Sequence, residues 1–331
     1  MSPSTDSLAA LIAAAEAQPF ARWFGQLREQ LPLHAHGCAA SATFECAAEV
    51  TRRISALNLP LGLGLVMHLY PLAALRCVPL PWWSPAARRR AKLIGEIDSG
   101  KLILANAGSE RAAGAHAPVT VTPHDGGLRI DGAFEYVSLA HVADLVLFSA
   151  PLVEGGGNPV FCAADLKTHT VEIGPSRFSG SMSLSDTCSL RFRGHPVGAD
   201  RFIEIPGSNS LGCMAHYQRS WFHLLLSEAY LARADRLIHT HALSQTAEQL
   251  ASRNELAFLR DYALRLLDEA APGTMAALAR VTAAIKLRVS WLAQSVATAV
   301  RPFDDVAATE LGFIRLQPTS DARILAELAA A

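Results

Sequence analysis

The chain has 331 residues, 50% of them hydrophobic and 18% charged, a composition that can bury a sizeable core and excludes a disordered chain. Its 29 basic and 30 acidic side chains leave a formal charge of -1, so no global field draws nucleic acid or an anionic membrane to it. Six cysteines without a CxxC pair, and an N-terminus without a basic segment leading into an apolar run, point to a reduced, cytoplasmic setting.

The first hundred residues carry helical periodicity. Asp6 or Ser7 can cap a helix through Ala17, which Pro19 ends, and an amphipathic stretch follows from Phe20 to Gln30. From Ser41 to Ala56 the residues Phe44, Ala47, Val50 and Ile54 fall on one helical face, which should be core. The apolar stretch Leu57 to Leu80 is broken by Asn58, His68, Arg76 and prolines, so it reads as a buried helical layer and not as a membrane span. Pro60-Leu-Gly-Leu-Gly64 lacks the third glycine and the preceding strand of a dinucleotide fingerprint; its small residues let two helices approach. Ser84-Pro85 starts another helix, with Arg88, Arg89, Arg90 and Lys92 on a solvated face and Gly100 at its end.

From Leu102 the period changes. Short runs rich in Val, Ile, Phe and Tyr are broken by Asp125-Gly126-Gly127 and by Asp131-Gly132, both read as turns between antiparallel strands. Glu154 to Pro159 reads as a turn, Val160 to Ala163 and Ser189 to Phe192 as strands, and the stretch to Asp200 as a polar loop. Beyond Leu211 long helices return, about Cys213 to His241, Thr246 to Ala271 and Thr274 to Val300, with a short helix after Thr319-Ser320. Their apolar stripes predict an antiparallel bundle. The expected class is therefore α+β: helical residues 1–101, a β-sandwich or barrel over 102–204, and a bundle over 205–331.

That order, with Gly132-Ala-Phe-Glu-Tyr-Val-Ser138, Ala143-Asp144-Leu145 and Ser185-Asp-Thr187 leading into Leu190-Arg-Phe192, resembles the acyl-CoA dehydrogenase family over nearly the whole chain. The resemblance implies a flavin against the strand at Tyr136, Val137 and Ser138. Tyr136 would stack on the ring and the Ser138 hydroxyl donate to it; without that context the segment reads as an ordinary strand with one inward Tyr. Aligned on the family's other flavin-contacting segment, Asn106 takes the place of a Thr and keeps the means to bond a pyrimidine edge, while Ala107 and Ala112 have lost their family side chains. Asn106 to Arg111 is also similar to the matching segment of flavin-dependent monooxygenases of the dibenzothiophene monooxygenase type.

A dehydrogenase of this family needs a carboxylate to take the α-proton of an acyl thioester. Ser320-Asp321-Ala322-Arg323 matches the motif before one family position for it and places Ala329 there; the other position, before Arg219, is Gln218. Glu228 and Glu327 lie nearby in sequence and read as solvated surface residues, so no catalytic residue is assigned. The stretches that in the family hold the neighbouring protomer's pyrophosphate read Ser244 to Leu250, without a cation, and Arg301 to Val306, bulky and acidic. The resemblance thus implies a flavin site with weakened grip: FAD held weakly, or FMN in its place. It further implies an oxidoreductase acting on an acyl thioester or related small molecule, with two alternatives, a monooxygenase of the same fold and a non-catalytic relative or hetero-oligomer subunit. A homo-oligomer, dimer or tetramer, is expected, because Trp221, Phe222, Phe258 and Trp291 exceed what one bundle face needs. No metal site is expected: His34/His36 and His239/His241 are spaced two apart, about 200° around a helix. No Walker sequence or nucleophile elbow occurs.

Overall fold

A computed structural model describes residues 9–10, 12–13, 24–26, 39–77, 80–100, 102–107, 119–150, 152–153, 160–204, 208–269, 273–316 and 321–329. The expected helices before residue 31 fall largely outside these, as do His34, His36 and the turn expected at Glu154 to Pro159. The chain divides into two compact units, residues 67–218, and residues 1–66 with 219–331.

The unit of residues 67–218 is built on two four-stranded sheets. One runs β1 (Leu104–Asn106), β4 (Leu145–Ala150), β5 (Val160–Asp165), β8 (Phe202–Glu204), and the other β2 (Thr120–His124), β3 (Gly127–Val137), β7 (Cys188–Val197), β6 (Val171–Ser176). Every pairing is antiparallel except β1 with β4. The β4 sheet is covered on one face by Leu72 and Leu75 of helix α2 (Leu59–Cys77) and Leu93 and Ile97 of α3 (Pro85–Gly100). On its other face Phe148 meets Phe134 and Phe192 of the second sheet, with ring centroids 5.1 and 6.2 Å away. Burial on both faces explains why β4 and β5 read as continuous apolar runs.

Local chemistry sets several boundaries. The Ser84 hydroxyl accepts the Ala87 N–H at 3.0 Å with Pro85 in the first helical position, which starts α3. Lys92 pairs with Asp200 at 2.8 Å and Arg89 with Glu204 at 3.7 Å, so the basic run is a solvated, paired face. Asp125 and Gly126, at φ 43° and 75°, form the two-residue turn that pairs His124 with Gly127. Asp131-Gly132 is not a turn. It lies inside β3, where the register shifts and Gly132 takes φ 117°, because the Asp131 carboxylate accepts the Gly194 N–H of β7 at 2.6 Å and holds a bulge. Two strands, β6 and β8, stand where no strand was read from the sequence.

The other unit is helical. Helix α1 (Ala40–Leu57) buries Phe44, Ala47, Val50 and Ile54 as its spacing predicts. The Asn58 side chain accepts the Leu61 N–H at 3.1 Å and opens α2. A Cβ on Gly62 of α2 would lie 1.9 Å from the Ser55 hydroxyl, so glycine is what lets these helices approach. Among the described residues α2 is the one helix long and apolar enough to cross a membrane, and 89% of that window is buried inside the structure. Helices α4 (Ser208–Thr240), α5 (Ala247–Glu269), α6 (Met275–Val300), α7 (Asp305–Gly312) and α8 (Asp321–Ala329) follow. Trp221 and Phe222 are core of this unit, with Trp221 5.9 Å from Phe44, so they are not surplus interface aromatics. Phe258 is 68% exposed and Trp291 partly exposed.

Helix α8 is held by charge. Lys286 of α6, wholly buried, pairs with Asp321, whose second oxygen accepts from the Ser290 hydroxyl at 2.6 Å. Burial lowers the Lys286 pKa and Asp321 opposes that shift. A lowered folded-state pKa for a base penalises folding while the unfolded lysine is protonated, and the penalty fades as pH rises toward the unfolded value. Asp321→Asn is therefore expected to cost about 1–3 kcal/mol at neutral pH. In urea unfolding, the deficit relative to the unaltered chain should shrink as pH rises toward 10; a deficit independent of pH would contradict it.

Candidate functional site

The four residues singled out along the chain come together. Ala107 forms an antiparallel bridge with Val137, and its N–H donates to Leu147 O at 3.0 Å, so the end of β1 lies beside the end of β3. Asn106 thus neighbours the Tyr136-Val137-Ser138 segment. Val137 is fully buried and aligns the two ends, while Tyr136 is 65% exposed and stacks on Phe178 with centroids 6.4 Å apart and planes at 29°. The Tyr points outward, which excludes the inward-Tyr reading. An exposed aromatic pair of this kind offers an apolar face to a planar ligand.

Asn106 is oriented by its neighbours. Its amide nitrogen donates to the Tyr70 hydroxyl of α2, and burial raises the Tyr70 pKa, keeping the phenol protonated. The amide oxygen, Oδ1, is buried and accepts no hydrogen bond among the described residues. Such an orphaned acceptor carries a desolvation cost that a donor from a ligand would remove.

Ser138 behaves differently from expectation. The Ser185 hydroxyl donates to Met182 O at 2.8 Å, so the 2.8 Å bond between Ser185 and Thr187 uses the Thr187 proton. The 2.8 Å bond between Ser138 and Thr187 then uses the Ser138 proton. With its proton committed inward, Ser138 can offer an acceptor outward but not a donor. Thr187 and Tyr70 are the partners the sequence did not disclose. Ser185-Asp-Thr187 stood out as a phrase, but its contact with Ser138 spans 49 residues.

Among the described residues none of the candidate positions supplies a free base. Ala329 is exposed at the end of α8, and Gln218 is an amide. Glu228 is not a solvated surface residue: it is 8% exposed and accepts from Arg52 at 2.8 Å and Arg260 at 2.6 Å. Two guanidiniums engage its two oxygens and commit it to structure. The side chain of Glu327 lies outside the described residues. One turn after Arg219, His223 is buried with neither ring nitrogen bonded among the described residues, and burial, Arg219 and Lys286 push its pKa down to about 3. It is neutral and a feeble base.

The two stretches aligned with the family's pyrophosphate contacts are occupied by local structure. Thr246 and Gln249 form a reciprocal cap at the start of α5, Gln249 N to Thr246 Oγ1 at 3.2 Å and Thr246 N to Gln249 Oε1 at 2.8 Å. Phe303 stacks on His241 at 5.5 Å, and Arg301 faces Asp305 at 3.8 Å.

The chain matches no protein-family model and no curated protein sequence. Solved structures do resemble it. The dibenzothiophene monooxygenase TdsC from Paenibacillus sp. A11-2, solved with FMN and indole, is 19% identical over 98% of this chain and 94% of that one, TM-score 0.70. Methanesulfinate monooxygenase MsuC from Pseudomonas fluorescens is 16% identical over 99% and 96%, TM-score 0.71. Butyryl-CoA dehydrogenase from Megasphaera elsdenii is 12% identical over 87% and 81%, TM-score 0.63. The chain has the acyl-CoA dehydrogenase fold, in a divergent form.

Proposed function

We propose that the chain is a flavin-dependent oxidoreductase that works as a monooxygenase on a small molecule. The observation that carries the flavin reading is the buried Asn106 Oδ1, without a hydrogen bond among the described residues, on the strand end that pairs with the Tyr136-Val137-Ser138 segment, whose Ser138 is acceptor-only. An isoalloxazine has an aromatic face and, on its pyrimidine edge, an imide N–H; Asn106 would accept that proton, and Tyr136 with Phe178 would cover part of the face. With the amide nitrogen on Tyr70, the oxygen is left for the ligand. When bound and reduced, a flavin supplies the two electrons with which dioxygen gives one atom to a substrate and the other to water. FMN, present in the TdsC structure and in that of KijD3 with a dTDP-sugar, suits a chain whose adenylate-side stretches carry no cation over 244–250 and only Arg301, facing Asp305 at 3.8 Å, over 301–306.

The choice of monooxygenase over dehydrogenase rests on the base. Oxygen transfer needs no carboxylate to remove an α-proton, and Ala329, Gln218 and the doubly paired Glu228 supply none. A cytoplasmic homo-oligomer, with Phe258 and Trp291 at the association surface, is part of the same proposal. Dye-reduction assays with short, medium and long acyl-CoAs and added flavin are expected to show no turnover above background. Robust turnover would reinstate the dehydrogenase and make Glu327→Gln the next variant.

A further inference from the structure

Forty-five residues separate His141 from Asp186, yet the turn after β3 and the residues before β7 bring them together with Cys188. His141 Nδ1 lies 2.7 Å from Asp186 Oδ1 and 3.7 Å from Cys188 Sγ, and Sγ lies 3.9 Å from the same Oδ1. All three potential ligand atoms fall within 4.8 Å of one another. We propose that His141, Asp186 and Cys188 form a binding site for a divalent zinc-type cation, with a fourth position open to solvent.

Three features favour ligation over the alternatives. A thiol, imidazole and carboxylate are the donor types that zinc takes, and bonds of about 2.0–2.3 Å in a tetrahedron set ligand atoms roughly 3.3–3.6 Å apart. The two separations to Sγ, 3.7 and 3.9 Å, lie close to that value, and the 2.7 Å hydrogen bond between Nδ1 and Oδ1 would open by under about 1 Å on ligation. A nucleophilic triad would use both imidazole nitrogens, one toward the thiol and one toward the carboxylate. Here a single nitrogen, Nδ1, faces both, so the atoms converge on one point and do not form a relay.

The frame is also built. Leu139 N donates to Ser185 O at 3.2 Å, Ala140 N to Asp186 O at 3.1 Å, and His141 N to Asp186 Oδ2 at 2.7 Å. Asp186 adopts a left-handed conformation, φ 49°, that turns its side chain back toward His141. A dication would be balanced by the thiolate and carboxylate. Lys167, which donates to His141 O at 2.9 Å, works against the cation and moderates the affinity. Cys188 is buried and His141 largely exposed, so the open position lies on the imidazole side. Because Thr187 sits between two of the ligands and bonds Ser138, an ion here would brace the edge of the candidate flavin site; the site itself does not depend on that reading.

The test uses flavin-free, chelator-treated full-length protein titrated with Co2+ and then Zn2+. One equivalent of Co2+ is expected to give a near-ultraviolet thiolate charge-transfer band and tetrahedral visible bands, both removed by Zn2+. Cys188→Ser should abolish the charge-transfer band, and His141→Ala, a surface change that leaves the core intact, should weaken Co2+ binding at least about 10-fold. Absence of the band in the unaltered protein, its survival in Cys188→Ser, or unchanged affinity in His141→Ala with a native circular dichroism spectrum would each overturn the site.

Discussion

Glu228→Ala is expected to destabilise the helical unit by about 3 kcal/mol, the lower part of the range for breaking a buried ion pair. Glu228 bridges Arg52 of α1 and Arg260 of α5, and its removal leaves them only their more exposed partners, Glu49 at 3.2 Å and Glu45 at 2.8 Å, with a carboxylate-sized void on the buried side. The lower part of the range applies because Arg52 and Arg260 are 34% and 26% exposed and keep some access to water. Glu45 pairs with the same Arg260 at 2.8 Å but is 45% exposed, so Glu45→Ala should cost under about 1 kcal/mol. Denaturant unfolding of the two variants checks both figures. Equal losses would mean that burial of Glu228 is not what gives the network its weight.

The reading of Glu228 shows where sequence reasoning stops. An acidic residue on a long helix reads as solvated by default, and only the arrival of α1 and α5 from 176 residues before and 32 residues after makes it a buried bridge. Features decided by neighbours in sequence were legible: the Asp125-Gly126 turn, the Ser84-Pro85 helix start, the apolar face of α1 and the close approach at Gly62. Asp131-Gly132 carries the same turn chemistry as Asp125-Gly126, but the Gly194 N–H across the sheet claims the Asp131 carboxylate and makes a bulge. The edge strand β6 was missed because Val171–Ser176 is half-exposed or exposed along its length and has no clean alternation. At the site, Asn106, Tyr136 and Ser138 were visible as a motif, whereas the direction of the Ser138 proton follows from Thr187 and Ser185, and the orientation of Asn106 from Tyr70. The His141, Asp186 and Cys188 group has no helical or strand spacing to announce it.

The second large effect concerns ligand binding without loss of fold. Tyr136→Ala removes an exposed ring and should change stability by no more than about 0.5 kcal/mol. Combined with Ser138→Ala it is expected to remove one stacking contact and, for the reduced flavin, whose N5–H is the donor left for the Ser138 oxygen, one hydrogen bond, together about 2–3 kcal/mol, or roughly 30- to 150-fold in affinity for the reduced flavin. Asn106→Ala should weaken flavin further by about 10-fold, since the buried Oδ1 is the acceptor left for the ring edge. Circular dichroism and unfolding curves on the same samples separate loss of binding from loss of structure. A double variant that binds flavin as the unaltered chain does would remove Tyr136 and Ser138 from the site.

Calorimetric titration of the flavin-free protein with FMN and with FAD tests the central claim most directly. The account predicts that both bind with dissociation constants of about 1 µM or weaker and within about 10-fold of each other, because the ring is met by Asn106, Tyr136 and Ser138 while Thr246, Gln249, Phe303 and Arg301 are engaged elsewhere. Failure of both flavins to bind, or FAD binding far more tightly than FMN, would contradict it.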